Sequence, residues 1–205
     1  MAKREKPAHG KWTELYPELG TGFVSFEDSV SPEFYGLERE AIFKRAWLNV
    51  GRVEQLPKRG SYFTKEISIA KSSVVVVRGA GGEVRAFHNV CRHRGNKLVW
   101  QGTPREETCG VARQFVCNYH GWRYGLDGTC NYVHQEDQFF DLDRTELGLV
   151  AVPCETWAGF IFVNLDRSPR QTLKEFLGPM VGALESYPFD RMTERYSFRA
   201  ENDSN

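Results

Sequence analysis

Apolar and polar positions alternate with a period of two along most of the chain from residue 47, in short runs separated by glycine turns. Runs of this kind, rich in Val, Ile, Phe and Tyr, predict β-strands. The glycine-rich stretch 79–82 and the pair Asp127-Gly128 predict hairpin turns. Many short strands at regular spacing favour an all-β sandwich or a small barrel. The predicted strands cover residues 47–53, 61–67, 73–78, 84–89, 114–117, 122–124, 130–133, 149–155 and 159–164.

Helices are predicted at both ends of this β-rich region. The segment Ser31–Glu33 is typical of a helix start, because Ser can cap free N–H groups and Pro fits the first turn. The apolar spacing that follows predicts a helix over residues 32–45 with one buried face. After residue 167, two short apolar sets predict two more short helices. Residues 1–30 are expected to form a loosely folded arm, which either packs on a surface through its aromatic side chains or is partly disordered.

Charge and cysteine content narrow the class of protein. The 205 residues include 27 Lys and Arg and 27 Asp and Glu, so the formal charge is zero. This balance gives no reason to expect binding to nucleic acid or to an anionic membrane. No apolar run approaches the roughly 20 residues of a membrane span, and the charged N-terminus lacks the apolar stretch of a secretory signal. An odd number of cysteines fits a reducing cytoplasm better than secretion. The cysteines are Cys91, Cys109, Cys117, Cys130 and Cys154.

Two short pairs of metal-ligand residues stand out in this background. Cys91 and His93 form a C-x-H pair, and Cys117 and His120 form a C-x-x-H pair. Two loops facing each other would offer two sulfur and two nitrogen ligands, enough for one zinc ion or one [2Fe–2S] cluster. A zinc ribbon usually pairs two cysteines in one loop. One Cys and one His in each loop therefore favour the cluster, with both cysteines on one iron and both histidines on the other. Structural zinc is the alternative.

The residues around both pairs form specific motifs, N-x-C-R-H-R-G over 89–95 and Y-H-G-W-x-Y-x-L-D-G over 119–128. With these motifs, the chain over about residues 34–166 resembles the N-terminal Rieske domain of the large (alpha) subunit of Rieske non-haem iron oxygenases, the aromatic-ring-hydroxylating dioxygenase family. One departure is the gap between the pairs, because residues 94–116 number 23, several more than the family has. We assign the extra length to a polar surface loop at 103–113.

The resemblance implies a fold and a cofactor. The fold is an antiparallel β-sandwich of the Rieske type, with cluster-binding loops at its tip and flanking N- and C-terminal helices. The cofactor is a Rieske [2Fe–2S] cluster bound by Cys91, His93, Cys117 and His120, and no catalytic residue is assigned. The family's mononuclear Fe(II) is held by two histidines and a carboxylate. No histidine follows His134, so we expect that iron only in a missing catalytic domain.

The resemblance also implies a domain plan and a function. We expect an N-terminal arm and helix (1–46), a Rieske domain (47–166), and a helical linker with the start of a truncated catalytic domain (167–205). A lone strand predicted at 195–200 supports the truncation, since an unpaired edge is a liability. The implied function is electron transfer from a ferredoxin or reductase to the iron of an aromatic-ring dioxygenase, active in aromatic hydrocarbon catabolism. The implied assembly is a homotrimer, with or without a beta subunit. The alternative is a free-standing Rieske ferredoxin, which has about half this length.

Residues near the ligands predict a low reduction potential by the same resemblance. High-potential Rieske proteins carry Ser where this chain has Trp122, and a disulfide at the positions of Asn96 and Tyr119; Tyr124 matches their hydrogen-bonding Tyr. Fewer donors to sulfur stabilise the reduced state less, so a potential near about −150 mV is expected. Both ligand histidines are expected to be partly exposed. A basic rim either steers an acidic donor protein or is only a solvated surface. Its residues are Arg92, Arg94, Lys97, Arg105, Arg113 and Arg123.

Overall fold

The structure, a computed structural model, divides the chain into two compact units, residues 1–37 and 38–205. The predicted strand at 195–200 lies outside the described residues. No helix within the described part of the chain is long and apolar enough to cross a membrane. The described residues are 5–6, 8–20, 22–23, 25–104, 106–184 and 186–192.

Short helices lie at both ends of the described chain. The first unit has α1 (Trp12–Leu15), α2 (Glu27–Val30) and most of α3 (Pro32–Glu38), and none of the three contains a buried residue. The two short helices predicted after residue 167 are confirmed as α4 (Leu173–Leu177) and α5 (Met180–Ala183). Short 3-10 turns lie at Pro17–Leu19, Val53–Gln55, Ser68–Ala70, Glu136–Gln138, Arg144–Leu147 and Phe189–Arg191.

The helix predicted over 32–45 forms, but its predicted buried face is wrong. The start is confirmed, because Ser31 Oγ accepts the backbone N–H three residues further on at 3.2 Å. After α3 the chain continues as a π-helix, Arg39–Phe43. Neither segment has a buried residue, and Leu37 and Ile42 are 66% and 52% exposed. The wider π turn changes the angular spacing of the side chains, so a face set by a 3.6-residue period does not continue through it.

The remainder of the described chain is built from short antiparallel strands, which confirms the all-β prediction. The strands are β1 (Trp47–Arg52), β2 (Ser61–Ile67), β3 (Ser72–Arg78), β4 (Val84–His88), β5 (Cys109–Val111), β6 (Phe115–Val116), β7 (Arg123–Tyr124), β8 (Cys130–Tyr132), β9 (Ala151–Val152), β10 (Cys154–Trp157) and β11 (Phe160–Asn164). They form three sheets, in the orders β1-β11-β10, β5-β2-β3-β4-β9 and β6-β7-β8.

One strand prediction and one loop prediction change in detail. The single strand predicted over 149–155 is split at Pro153, where β9 and β10 join different sheets. Proline lacks the N–H that a ladder needs, so the chain changes sheets there. The surface loop predicted at 103–113 contains β5, which pairs with β2 at the edge of the five-stranded sheet. Gly110 allows this pairing, because a Cβ at that position would lie 2.9 Å from Tyr62 Oη.

The central strand β3 carries apolar packing on both faces. Residues Val74 to Val77 are all 0% exposed. Val74 and Val76 pack against residues of β1 and β11 on one face. Val75 and Val77 belong to a second cluster on the other face, which includes the side chains Cys91, Cys117, Trp122 and Tyr124. The core on this face of β3 therefore includes buried side chains from both of the loops that carry the Cys/His pairs.

Candidate metal centre

The predicted ligands lie on two short loops at one end of the β-domain. The first loop, residues 91–97, follows β4, and the second loop, residues 117–122, joins β6 to β7. In the first loop, the Cys91 N–H donates to the Asn96 carbonyl oxygen at 2.8 Å. The Cys91 carbonyl oxygen accepts the Gly95 N–H at 3.1 Å. These two bonds close the loop into a tight turn behind the cysteine.

The second loop repeats this backbone pattern. The Cys117 N–H donates to the Trp122 carbonyl oxygen at 2.8 Å, and the Cys117 carbonyl oxygen accepts the Gly121 N–H at 2.9 Å. Gly95 and Gly121 have φ values of 70° and 72°, in the left-handed region where glycine carries no steric penalty. The glycine after each Cys/His pair is thus required for the turn that presents that pair.

A buried asparagine ties the first loop to the sheet. Asn89, directly after β4, is 0% exposed. Its Oδ1 accepts the Val99 N–H at 2.8 Å, and its Nδ2 donates to the Val99 carbonyl oxygen at 2.8 Å. Nδ2 also lies 3.3 Å from Ser73 Oγ on β3. These bonds join the two ends of the loop at its base. The sequence motif contains Asn89, but this role was not predicted.

The two predicted ligand histidines face each other across the loops. The His93 and His120 ring centroids are 4.6 Å apart, at an interplanar angle of 73°. Both residues are partly exposed, as predicted. Each has a buried Nδ1 atom that lacks a hydrogen-bond partner among the described residues. Burying an unpaired ring nitrogen is costly, and its lone pair is a good metal ligand. The inward edges of both rings therefore fit a metal centre.

The two predicted ligand cysteines are both buried in the core cluster that also contains Trp122 and Tyr124. Cys91 and Cys117 are each 2% exposed. Burial raises the pKa of the Cys91 thiol; the Tyr124 hydroxyl and the His93 backbone oppose the rise, and the nearby Cys117 thiol adds to it. In the described chain, no three His, Cys, Asp or Glu residues are grouped to hold a single metal ion. Two ligands at each of two irons is the arrangement that a Rieske cluster uses.

A fully buried tyrosine contacts the first cysteine. Tyr124 Oη lies 3.2 Å from Cys91 Sγ and accepts the Arg92 N–H at 3.1 Å. Burial raises the pKa of Tyr124 far above its ordinary value, and the Cys91 contact adds to the rise. The hydroxyl therefore stays protonated and can donate a hydrogen bond to the Cys91 sulfur. The Tyr124 side chain links the β6-β7-β8 sheet to the first loop.

Aromatic side chains enclose one face of the histidine pair. Trp122, which is 3% exposed, stacks on His93 with ring centroids 4.7 Å apart and an interplanar angle of 10°. Phe139 meets the His93 ring edge-on at 5.9 Å. Tyr119 lies against His120 at 3.8 Å. Trp122 therefore shields the histidine directly. The contact from Phe139 was not predicted from the sequence, because Phe139 lies in a segment after β8 that has no metal-binding motif.

Other histidines and cysteines lie away from this centre. His88 is partly buried, and its Nδ1 lies 3.4 Å from Ser72 Oγ. Burial lowers the pKa of His88, as expected for a structural residue, and Arg167 adds to the shift. All five cysteines are free of disulfides. Cys154 is partly buried on β10, and burial raises its pKa to about 12.

The predicted basic rim is smaller than the sequence suggests. Lys97 is bound rather than free, because its Nζ lies 2.6 Å from Glu66 Oε1 and also contacts the Pro104 carbonyl oxygen. The Arg123 guanidinium lies over the Tyr132 ring at 4.6 Å. Arg105 lies outside the described residues. The exposed rim arginines are Arg92, Arg94, Arg113 and Arg123.

Comparison with known proteins gives a consistent family match. A family model described as the Rieske [2Fe–2S] domain matches residues 46–154. Chloroplastic choline monooxygenase of Beta vulgaris is 35% identical over 178 residues, which is 83% of this chain and 37% of that protein. The glycine betaine monooxygenase oxygenase subunit of Chromohalobacter salexigens is 37% identical over 161 residues, 78% of this chain and 34% of that subunit.

Solved structures of oxygenases share the fold. The naphthalene 1,2-dioxygenase from Rhodococcus sp. matches with a TM-score of 0.68 and 30% identity, over 76% of this chain and 34% of that chain. The quaternary ammonium Rieske monooxygenase CntA matches with a TM-score of 0.70 and 28% identity, over 78% of this chain and 42% of that chain. The chain spans about a third of the length of the curated relatives it matches.

Proposed function

This chain belongs to the Rieske [2Fe–2S] domain family, and from that premise we propose that it passes single electrons through a cluster held by Cys91, His93, Cys117 and His120. The observation that supports this proposal most directly is that His93 and His120 each have a buried Nδ1 atom with no hydrogen-bond partner among the described residues, while the two motif cysteines are also buried. A metal centre satisfies both nitrogens at once and takes the thiols as thiolates.

The chain's own side chains would set the properties of this site. When bound, the cluster supplies a one-electron couple, whose potential is higher than that of an all-cysteine cluster because two imidazoles replace two thiolates. Tyr124 Oη lies 3.2 Å from Cys91 Sγ and would donate to it once the sulfur is a thiolate. Trp122 and Phe139 exclude water from one side of the His93 ring. Because His93 and His120 are partly exposed, each ring offers an electron-transfer contact to a partner protein.

We propose that the full protein is an oxygenase alpha subunit. The matched relatives are named as oxygenases, which disfavours the alternative of a free-standing ferredoxin. The mononuclear iron would lie in a catalytic domain, and electrons would come from a ferredoxin or reductase, in a homotrimer with or without a beta subunit. The exposed rim arginines favour an acidic donor protein.

The substrate class is proposed only at the level of the family. Names among the matched relatives include choline, glycine betaine and naphthalene. We therefore propose two alternative activities for the full protein. One is dioxygenation of an aromatic ring, with a role in aromatic hydrocarbon catabolism. The other is oxygenation of a quaternary ammonium compound.

Replacing one proposed histidine ligand with cysteine tests the assignment. His93→Cys and His120→Cys should each retain a cluster but lower its potential toward the roughly −400 mV of all-cysteine ferredoxins, because a thiolate adds negative charge. Potentiometric titration followed by visible absorption measures the shift. His134→Cys is the matched control, since His134 is exposed and lies outside both loops. Potentials equal to that of the control would contradict histidine ligation.

A further inference from the structure

Each buried thiol has a side-chain donor that comes from the opposite part of the site. Tyr124, on the hairpin that follows the second loop, reaches Cys91 Sγ in the first loop at 3.2 Å. Asn96, in the first loop, points its Nδ2 at Cys117 Sγ in the second loop, at 3.9 Å. A separation of 3.9 Å is too long for a hydrogen bond from nitrogen to oxygen, but it is within the range of a hydrogen bond to a sulfur acceptor. The two donors therefore cross between the loops in opposite directions.

Asn96 is held in place from its backbone and from its neighbour. Its carbonyl oxygen accepts the Cys91 N–H at 2.8 Å. The next residue, Lys97, is fixed by its ion pair with Glu66 at 2.6 Å, with a lysine side chain only 15% exposed. Lys97 also forms a bridge with Val90 at the base of the loop. The backbone of Asn96 is therefore held in place in the first loop, which limits the positions that its side chain can take.

The amide orientation of Asn96 follows from its second contact. Nδ2 donates to the Lys97 carbonyl oxygen at 2.8 Å. A flipped amide would place its own oxygen against that carbonyl oxygen, with two acceptors facing each other. The amino group is thus kept on this side, and its other N–H is free to face Cys117 Sγ. An N–H donor stabilises a sulfur most when that sulfur carries more negative charge.

We propose that Asn96 is a positioning residue that raises the reduction potential of the site by donating to the Cys117 thiolate, and that it ties the two loops together without a covalent link. The proposal rests on the proposed function, in that Cys117 is taken as a ligand. Reduction adds negative charge to the cluster and its thiolates, so loss of this donor should favour the oxidised form.

Two variants at this position test the proposal. Asn96→Ala removes the donor, and Asn96→Asp keeps the shape but places a carboxylate near the thiolate. At a fixed solution potential, Asn96→Ala should lower the reduced-to-oxidised ratio by about three- to tenfold, which is about 30–60 mV for a one-electron couple. Asn96→Asp should lower it further. Spectroscopic redox titration gives the ratio, and iron and acid-labile sulfide analysis gives the cluster content.

Asn131→Ala is the matched control, because Asn131 is an exposed asparagine of β8 that lies outside both loops. If Asn96→Ala does not hold a cluster, Asn96→Asp supplies the measurement. An Asn96→Ala potential equal to that of the control, or an Asn96→Asp potential above wild type, would overturn the proposal and leave the cluster assignment intact. Wild-type protein that binds no iron–sulfur cluster would instead refute the proposed function itself.

Discussion

Tyr124 shows how one side chain can serve both the fold and the proposed electron-transfer site. Its ring is 0% exposed in the apolar cluster beneath the loops. Its hydroxyl meets Cys91 Sγ and accepts the Arg92 N–H. A phenol that stays protonated through the ordinary pH range is a constant donor. The contact to sulfur should therefore tune the potential without adding a pH dependence of its own.

Tyr124→Phe removes only the hydroxyl, so its effects can be attributed to that group. We expect the reduced-to-oxidised ratio at a fixed potential to fall about three- to tenfold. The free energy of unfolding should fall by about 1–2 kcal/mol, because the partly buried Arg92 N–H loses its acceptor. Redox titration and denaturant unfolding measure the two effects. Tyr132→Phe is the control, since Tyr132 is exposed. Unchanged potential in Tyr124→Phe would show that the hydroxyl does not act on the cluster.

At the scale of elements, the first loop is held in place by residues on β3 and directly after β4. β3 is buried on both faces and supplies Ser73, which lies beside Asn89. Asn89 in turn pairs with both backbone groups of Val99. Side-chain hydrogen bonds from Asn89 therefore help to close the first loop, beside the backbone bridge between Val90 and Lys97. The Asn89 side chain is fully buried, so its hydrogen bonds are costly to lose.

Asn89→Ala should loosen this closure. The change leaves the partly buried N–H and carbonyl of Val99 without their Asn89 partners, and we expect it to cost about 2–4 kcal/mol of the free energy of unfolding. It should also speed loss of iron, because the first loop carries two of the proposed ligands. Chemical denaturation and the rate of iron release to a chelator measure these effects. Asn131→Ala, at an exposed position of β8, is the control. A variant as stable as this control would contradict the role assigned to Asn89.

Elements differ in how far the sequence could predict them. The period-two runs predicted most strands, because apolar and polar residues alternate along a strand that has one face buried in the core. The sequence predicted one strand over residues 149–155, although Pro153 could have indicated the break, since proline cannot donate a hydrogen bond to a strand ladder. β5 was not predicted, because its three residues join the edge of the sheet through pairing with β2. The π-helix at Arg39–Phe43 also left no pattern distinct from an ordinary helix.

At the scale of the whole molecule, the candidate site is partly local and partly tertiary. Cys91, His93, Cys117 and His120 could be chosen from sequence because each pair is local and its spacing is specific. The packing of Phe139 on His93 could not, since it depends on where a distant segment folds. The contact from Asn96 to Cys117 likewise requires the two loops to meet. The resemblance named the cofactor, while the tertiary contacts indicate which side chains tune it.

The most direct test for a Rieske cluster in this protein is metal analysis of anaerobically purified protein, together with a low-temperature EPR spectrum after dithionite reduction. We expect about two iron ions and two acid-labile sulfides per chain, with a rhombic signal that appears only on reduction. A colourless protein with about one zinc ion per chain and no such signal would contradict this expectation. The two loops would then form a structural zinc site, and the proposed electron-transfer function would have to be withdrawn.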